Sequence, residues 1–371
     1  MARARPFSLE EARIAWIRRL ESRTTARRVP VGIGDDAALY RARPGWDVVA
    51  TVDAQAEGTH FERDWLSFAE LGARAVSASV SDLAAMAATG GALLVSILLS
   101  DDVSEPEFRA LARGIHDAAR RYDTPIIGGN LSRGPLSISV TSLGEVERGR
   151  AILRHGASPG DELWVTGSPG LARLGLLALS GEAPALRQSD AVRAWRRPQA
   201  RLNEARWLAR RWPITALIDL SDGLGRDLSH LAEDASGKPR IGFEIDRARL
   251  EELEPTSRLA RKAGLDPALV ALAGGEDYEL CFTSRPRSRA LESARRFVAR
   301  FGVALERIGT AVEQPGIAFV DASGRRTPVR ADTFEHFARV ARDDRVDQDE
   351  TGARSRANDQ PSSDETSKRR R

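Results

Sequence analysis

Cysteine is nearly absent. Of 371 residues only Cys281 carries a thiol, which excludes an intrachain disulfide. It stands in the apolar run Leu280-Cys281-Phe282, a setting for a core side chain rather than a nucleophile. No apolar run reaches the roughly 18 residues that a membrane helix needs, and the opening MARARPFSLEEARIAW lacks the apolar segment of a signal peptide. The expectation is a cytoplasmic chain with no membrane partner. An excess of charge of one sign is missing too: 56 Lys and Arg face 53 Asp and Glu, for a net charge of +3. The expected folded part holds no basic block, so nucleic acid is not an expected partner. His60, His116, His155, His230 and His336 stand apart without zinc-ligand spacing. Neither the Gly-x-x-x-x-Gly-Lys-Ser/Thr phosphate loop nor the catalytic loop of protein kinases occurs.

What the chain does have is alternation of helical and strand-like segments. Ser8 with Glu11 three residues on, then Ile14, Ile17 and Leu20, predicts a capped helix over 8–20. Strands are expected at 48–52 ending at Asp53, at 93–99, 136–146, 163–166, 216–219, 241–245, 280–283 and 305–312. Helices are expected at 105–121, from 171 to about 180, from 224 to the Ser236-Gly237 stop, and at 287–301. The Ala-rich stretch 68–90 reads as helical with a break at Val80-Ser81-Asp82 and a new start at Leu83. Short strands with hairpin-like neighbours predict an α+β fold with two α/β domains, 1–148 and 149–340. Residues 341–371, rich in both charges and almost without large aliphatic side chains, are expected to be a disordered tail. The Ser-Asp pair of 81–82 and that of 221–222 suggest either two related halves or a coincidence of helix openings.

The informative chemistry is acidic. Asp35, Asp36, Asp53, Asp82, Asp219 and Asp222 all fall where a strand is expected to give way to a loop or helix, the positions that line ligand crevices in α/β folds. Taken singly, each is as well explained by capping or a turn. If they converge, two bare carboxylates about 4 Å apart repel by roughly 4 kcal/mol at an effective dielectric near 20. Hard divalent cations relieve that repulsion, and Mg²⁺ combines a few carboxylates with substrate phosphate oxygens. Arg133 and Arg154 are candidate phosphate partners. Gly167-Ser168-Pro169-Gly170 before a helix is either a phosphate-binding turn or a structural one.

At this point the sequence resembles the thiamine-monophosphate kinase family. The segments that carry the resemblance are Gly32-Ile33-Gly34-Asp35-Asp36-Ala37-Ala38, Thr51-Val52-Asp53 with Glu57-Gly58-Thr59-His60-Phe61, Ser81-Asp82-Leu83-Ala84-Ala85-Met86, Ile218-Asp219-Leu220-Ser221-Asp222-Gly223-Leu224, and Gly274-Gly275-Glu276-Asp277-Tyr278-Glu279-Leu280, in that order. The resemblance spans about residues 6–337. It implies an N-terminal domain whose sheet joins that of a second subunit in a dimeric barrel-like core, a C-terminal α/β domain, and ATP in a cleft between domains. It implies several Mg²⁺ ions held by Asp36, Thr51, Asp53, Asp82, Asn130, Asp219 and Asp222. ATP would be contacted by Arg154, Ser221 and Gly129, and thiamine monophosphate by His60, Glu276 and Phe334. No covalent catalytic residue is implied, because phosphate passes directly from ATP to the acceptor phosphate to give thiamine diphosphate.

Three positions depart from the family pattern: Asn130 stands for a metal-binding Asp, Val52 for a Thr and Ser79 for an Asn. They motivate a second reading, a paralogue that binds nucleotide or thiamine phosphates without turnover. A third is another ATP-dependent enzyme of the superfamily shared with aminoimidazole ribonucleotide synthetase and selenophosphate synthetase. The intact Gly-Gly-Glu-Asp-Tyr-Glu segment and His60 speak against it.

Overall fold

The computed structural model describes residues 8–21 and 28–329. Phe334 and the segment 341–371 lie outside them. The first helix, α1 (Leu9–Glu21), starts where Ser8 and Glu11 exchange hydrogen bonds, the Ser8 N–H donating to Glu11 at 2.7 Å and the Glu11 N–H to the Ser8 hydroxyl at 3.1 Å. This is the reciprocal cap that the sequence predicts.

Next come β1 (Trp46–Ala56), α2 (Phe68–Ala85), β2 (Thr89–Leu99), α3 (Glu105–Arg121), β3 (Ile126–Arg133) and β4 (Ser137–Glu147). The strands form one sheet in the order β1-β4-β2-β3, antiparallel except for the β2–β3 pair. Side chains alternate along β1, so Thr51 and Asp53 face inward and Val48 and Val52 face out. Helices α2 and α3 cover the inner face through Val76, Val80, Leu83, Phe108 and Leu111.

The second half contributes β5 (Glu162–Thr166), α4 (Leu171–Ser180), α5 (Asp190–Arg196), α6 (Leu202–Ala209), β6 (Ile214–Asp219), α7 (Leu224–Ala232), β7 (Gly242–Asp246), α8 (Arg247–Glu251), α9 (Thr256–Lys262), α10 (Pro267–Ala273), β8 (Leu280–Ser284), α11 (Ala290–Phe301), β9 (Leu305–Val312), β10 (Gly316–Val320) and β11 (Arg326–Pro328). Its sheet runs β11-β10-β7-β9-β5-β8-β6, with only the β10–β7 pair parallel. Both sheets are mostly antiparallel, as an α+β fold predicts, and the second carries helices on both faces: α7 and α10 pack with Ile218 and Cys281, α6 and α11 with Leu217 and Phe282. The apolar core is continuous from Val76 and Leu83 through Trp164, Trp195, Phe282 and Phe297, and α2 packs against both β1 and β6. That helix therefore sets the spacing between the sheet of β1 and the sheet of β6.

Three expectations are corrected. Helix α2 runs unbroken through Val80-Ser81-Asp82. The side chains of Ser81 and Asp82 are engaged by distant partners and do not compete for the helix backbone, so nothing restarts there. The two Ser-Asp pairs are consequently not equivalent: 81–82 lies inside a helix, whereas 221–222 precedes one. The second correction concerns Asp53, which sits within β1 rather than at its end. Helix α7 also stops earlier than expected, at Ala232.

Candidate active site

Three elements bring acids together. From β1, Thr51 and Asp53 point at α2, where the Thr51 hydroxyl donates to Asp82. One residue earlier on α2, the Ser81 hydroxyl donates to Asp219 at 2.6 Å, and Asp219 closes β6. The chain then turns through Ser221-Asp222-Gly223 into α7, whose Asp227 accepts the Gly223 N–H at 3.1 Å. Gly223 has φ +111°, and a β-carbon there would stand 2.3 Å from the Gly274 carbonyl, so only glycine lets the 274–279 loop dock. That docking is made by backbone: the Glu276 N–H donates to the Ser221 carbonyl at 2.7 Å and the Tyr278 N–H to Leu220 at 2.8 Å.

Burial and mutual repulsion show in the acidities. The Asp53 carboxyl is pushed up to about 6, chiefly by burial and further by Asp82 and Glu276, against the opposing N–H of Ala54 and charge of Arg74. Asp219 is pushed up to about 7 by burial, with Asp82 and Asp53 adding to it. Burial raises Asp82 as well, against the opposing Thr51 hydroxyl. Asp227 lies well above the usual range because it is buried beside Asp219 and Asp222. Asp222 itself is half-exposed and 3.4 Å from Arg226.

The donors offered are all oxygens, from carboxylates and hydroxyls, which fits a hard cation and not a thiophilic one. Among the described residues no three acidic, His or Cys side chains are grouped closely enough to hold an ion unaided. An ion here would need phosphate oxygens to complete its shell, which is how Mg²⁺ is commonly bound.

One wall of the cleft is a fixed ionic network. Arg74 of α2 is fully buried. It donates to Glu276 and to the Trp195 carbonyl, and to Gln55 at 3.2 Å, with its guanidinium 4.2 Å above the Trp195 ring. The Trp195 indole N–H donates to the other Glu276 oxygen at 2.7 Å. Both carboxylate oxygens of Glu276 are thus held, at a residue with φ +63°. His60 lies just beyond the end of β1 and accepts the Ala56 N–H at Nδ1, 3.1 Å away, which leaves the proton of the neutral ring on Nε2.

The neighbouring acid, Asp277, explains the Gly167–Gly170 turn. It accepts the Gly170 N–H at 2.6 Å and the Ala172 N–H at 2.8 Å, so the N-terminus of α4 is satisfied by a side chain of this protein instead of a phosphate. Burial pushes Asp277 up to about 7 despite those donors. Asp277→Ala leaves both N–H groups buried without an acceptor and should cost about 2 kcal/mol of stability in urea denaturation.

The remaining predicted residues lie elsewhere. Asp35, Asp36, Gly129 and Asn130 line a cavity of about 660 Å³ beside β3, with Ile14 and Ile17 of α1 opposite. Gly129 has φ +152° and a β-carbon on it would meet the Val95 carbonyl at 1.8 Å, so the strand admits only glycine there. Asp53, Val140, Val95 and Gly129 form one row across the sheet. At about 4.8 Å per strand, the Asp53 and Gly129 backbones are roughly 14 Å apart. Asn130 donates to Ser132 at 3.0 Å. Arg133 is exposed and paired with Asp101. Arg154 is exposed in the loop whose Leu153 carbonyl accepts from Leu217 of β6. Of the departures, Val52 is 65% exposed on the face opposite Asp53. Ser79 is buried, bonded to the Val140 carbonyl at 2.9 Å and the Ser142 hydroxyl at 2.7 Å.

Sequence reasoning missed Arg74, Trp195 and Asp227. An arginine in the middle of the Ala-rich α2 was the one available signal, since a buried face rarely carries a charge without a partner. Asp227 follows Asp222 in the first turn of α7, which a helical projection would place facing back toward the turn.

Residues 34–146 match the family described as AIR synthase related protein, N-terminal domain. The chain is similar to the thiamine-monophosphate kinase of Salmonella typhimurium, 35% identical over 324 residues that cover 85% of this chain and 94% of that one. Among solved structures it is similar to the thiamine-monophosphate kinase of Stenotrophomonas maltophilia, 30% identical with a TM-score of 0.71 over 84% of this chain and 97% of that one. It is also similar to AaThiL complexed with AMPPCP and TMP, 26% identical with a TM-score of 0.65 over 89% of this chain and 99% of that one.

Proposed function

The chain belongs to the thiamine-monophosphate kinase family, and from that premise we propose how its cleft transfers a phosphoryl group from ATP to thiamine monophosphate. The observation that carries the reading is the convergence of Asp53, Asp82 and Asp219 from three elements, Asp219 buried and the other two half-buried, with Asp82 raising the pKa of both others and Asp53 that of Asp219. A protein retains such repulsion where a substrate brings compensating charge.

The residues that would hold Mg²⁺ ions are Asp36, Thr51, Asp53, Asp82, Asn130, Asp219 and Asp222. Bound there, Mg²⁺ neutralises and aligns phosphate oxygens. Thr51 and Ser81 hold Asp82 and Asp219 in place through their hydroxyls, so the acids are positioned before substrate arrives. Ser221, Gly129 and Arg154 would contact ATP, with Gly129 letting the backbone approach the phosphates closely. His60 would face the acceptor with its Nε2–H. Glu276, fixed by Arg74 and Trp195, would shape the acceptor pocket together with Phe334. No side chain has to form a covalent intermediate, since the acceptor phosphate is itself the nucleophile. Val52 faces away from the acids and Ser79 is spent on the Val140 carbonyl, opposite Asp53 in the sheet; Asn130 is the departure that changes the charge of a proposed metal ligand.

The outer face of the first sheet supports the homodimer. Val48 and Val52 are exposed there and Leu94, Leu98 and Leu143 only half-buried, an apolar surface that a second copy would cover as a barrel-like core. No helix among the described residues is long and apolar enough to cross a membrane, which agrees with a cytoplasmic enzyme. The division at 148/149 falls in the connection between β4 and β5.

Acceptor specificity tests the reading. With Mg²⁺ and ATP, thiamine monophosphate should yield thiamine diphosphate and ADP, while free thiamine, which lacks the nucleophilic phosphate, should yield nothing. Turnover of free thiamine alone would overturn it. A second expectation concerns Asn130, which offers one neutral oxygen where a carboxylate offers two charged ones. Asn130→Asp should lower the Mg²⁺ concentration at half-maximal rate severalfold, with less effect at saturating Mg²⁺. An unchanged Mg²⁺ titration would place Asn130 outside the metal shell.

A further inference from the structure

A second cavity, of about 530 Å³, opens where β1, β2 and β6 begin and β4 ends. Trp46, Thr89, Arg150, Arg206, Arg210 and Trp212 are in its wall. It lies at the start of β6, five residues from Asp219, which is roughly 17 Å along an extended strand. Its charge is lopsided. Three guanidinium groups line it, against the single carboxylate of Glu147 at the exposed rim. Arg206 of α6 is half-buried, and among the described residues no carboxylate pairs with it, with Arg150 or with Arg210. Burial, Arg210 and Arg43 together lower its pKa. Arg43 has no negative charge to share: its partner Glu145, at 2.9 Å, also serves Arg28. Trp212, buried in the same wall, has an indole N–H with no acceptor among the described residues. Half-burying an unpaired guanidinium beside two other cations is unfavourable unless an anion occupies the space.

We propose that this cavity is a binding site for a small phosphorylated molecule, distinct from the acidic cleft. Guanidinium groups match phosphate oxygens in pairs, and the volume exceeds that of a bare ion and lies in the range of small organic ligands. Trp46 and Val146 belong to the first sheet and Ile214 to the second, so an occupant contacts both and ties them together at the end opposite the cleft. The site stands independently of the reading of the cleft.

The test uses the full chain in buffer freed of divalent cations by chelating resin, where the acids of the cleft repel phosphate. Inorganic pyrophosphate is the probe, and tryptophan fluorescence and melting temperature are read. A saturable fluorescence change and a rise in melting temperature are expected at millimolar concentration or below. Arg206→Gln and Arg210→Gln should each weaken both at least tenfold, and Asp222→Asn should leave them unchanged. Arg210 is exposed, so its variant folds even if that of Arg206 does not. No saturable response, or an equal response in the Arg210 variant, would overturn the site.

Discussion

Asp53→Asn and Asp219→Asn should each lower turnover by three orders of magnitude or more while raising the melting temperature of the ligand-free protein. A thousandfold corresponds to about 4 kcal/mol of transition-state stabilisation, a magnitude reached when preorganised charge at a phosphoryl-transfer site is removed. The stability change has the opposite sign. Both carboxyls titrate higher in the folded protein, at about 6 and about 7, than an ordinary carboxylate. The folded state therefore holds more protons across that window. Stability is highest below the ordinary carboxylate range and is lost as pH rises through about 6 for Asp53 and about 7 for Asp219. At roughly 1.4 kcal/mol per pH unit between the two titrations, the neutral amide recovers a few kcal/mol at pH 8. Differential scanning fluorimetry from pH 4 to pH 8 should show a falling melting temperature for the native chain and a flatter profile for either variant. Variants with near-native turnover and an unchanged pH profile would make the cluster structural.

Arg74 carries the second large effect. Its guanidinium satisfies Glu276, the Trp195 carbonyl and Gln55 with no exposure to water. Arg74→Met leaves the Trp195 carbonyl, Gln55 and one oxygen of the Glu276 carboxylate without this donor and removes the charge that balances Glu276, and should cost about 3 kcal/mol or more in chemical denaturation. Arg74→Lys keeps the charge but loses the planar fork that reaches several acceptors at once. In that variant Glu276 and Trp195 lose their common anchor. KM for thiamine monophosphate should rise tenfold or more, with KM for ATP within about twofold of the native value. Equal increases in both would show that Arg74 only supports the fold.

The sequence made the acids legible because each stands in a compact motif beside glycine, serine or threonine. It did not make their neighbours legible. Sequence alone places Asp53 at a strand end and Asp82 at a helix start, since local patterns cannot tell a carboxylate that caps an element from one that reaches across to another. The Ser81–Asp219 bond joins residues 138 apart and the Arg74–Glu276 pair residues 202 apart. No local periodicity encodes such a pairing. Most strands were legible from alternation, whereas the strand orders, in which few consecutive strands are neighbours, were not. The short helices α5, α6 and α8 to α10 were not, because each is too brief to show a helical repeat and is held by packing on Trp195, Leu202, Leu208, Leu250 and Leu259. The Gly167–Gly170 turn left two readings open, and Asp277 decides between them by filling the helix terminus itself.

A single-turnover reaction with γ-labelled ATP, thiamine monophosphate and excess enzyme distinguishes direct phosphoryl transfer from transfer through the protein. Direct transfer moves the label to the terminal phosphoryl group of thiamine diphosphate in step with ATP loss, with none retained on acid-quenched protein. Label on the protein, or release of all label as inorganic phosphate with no thiamine diphosphate formed, would contradict direct transfer in the acidic cleft.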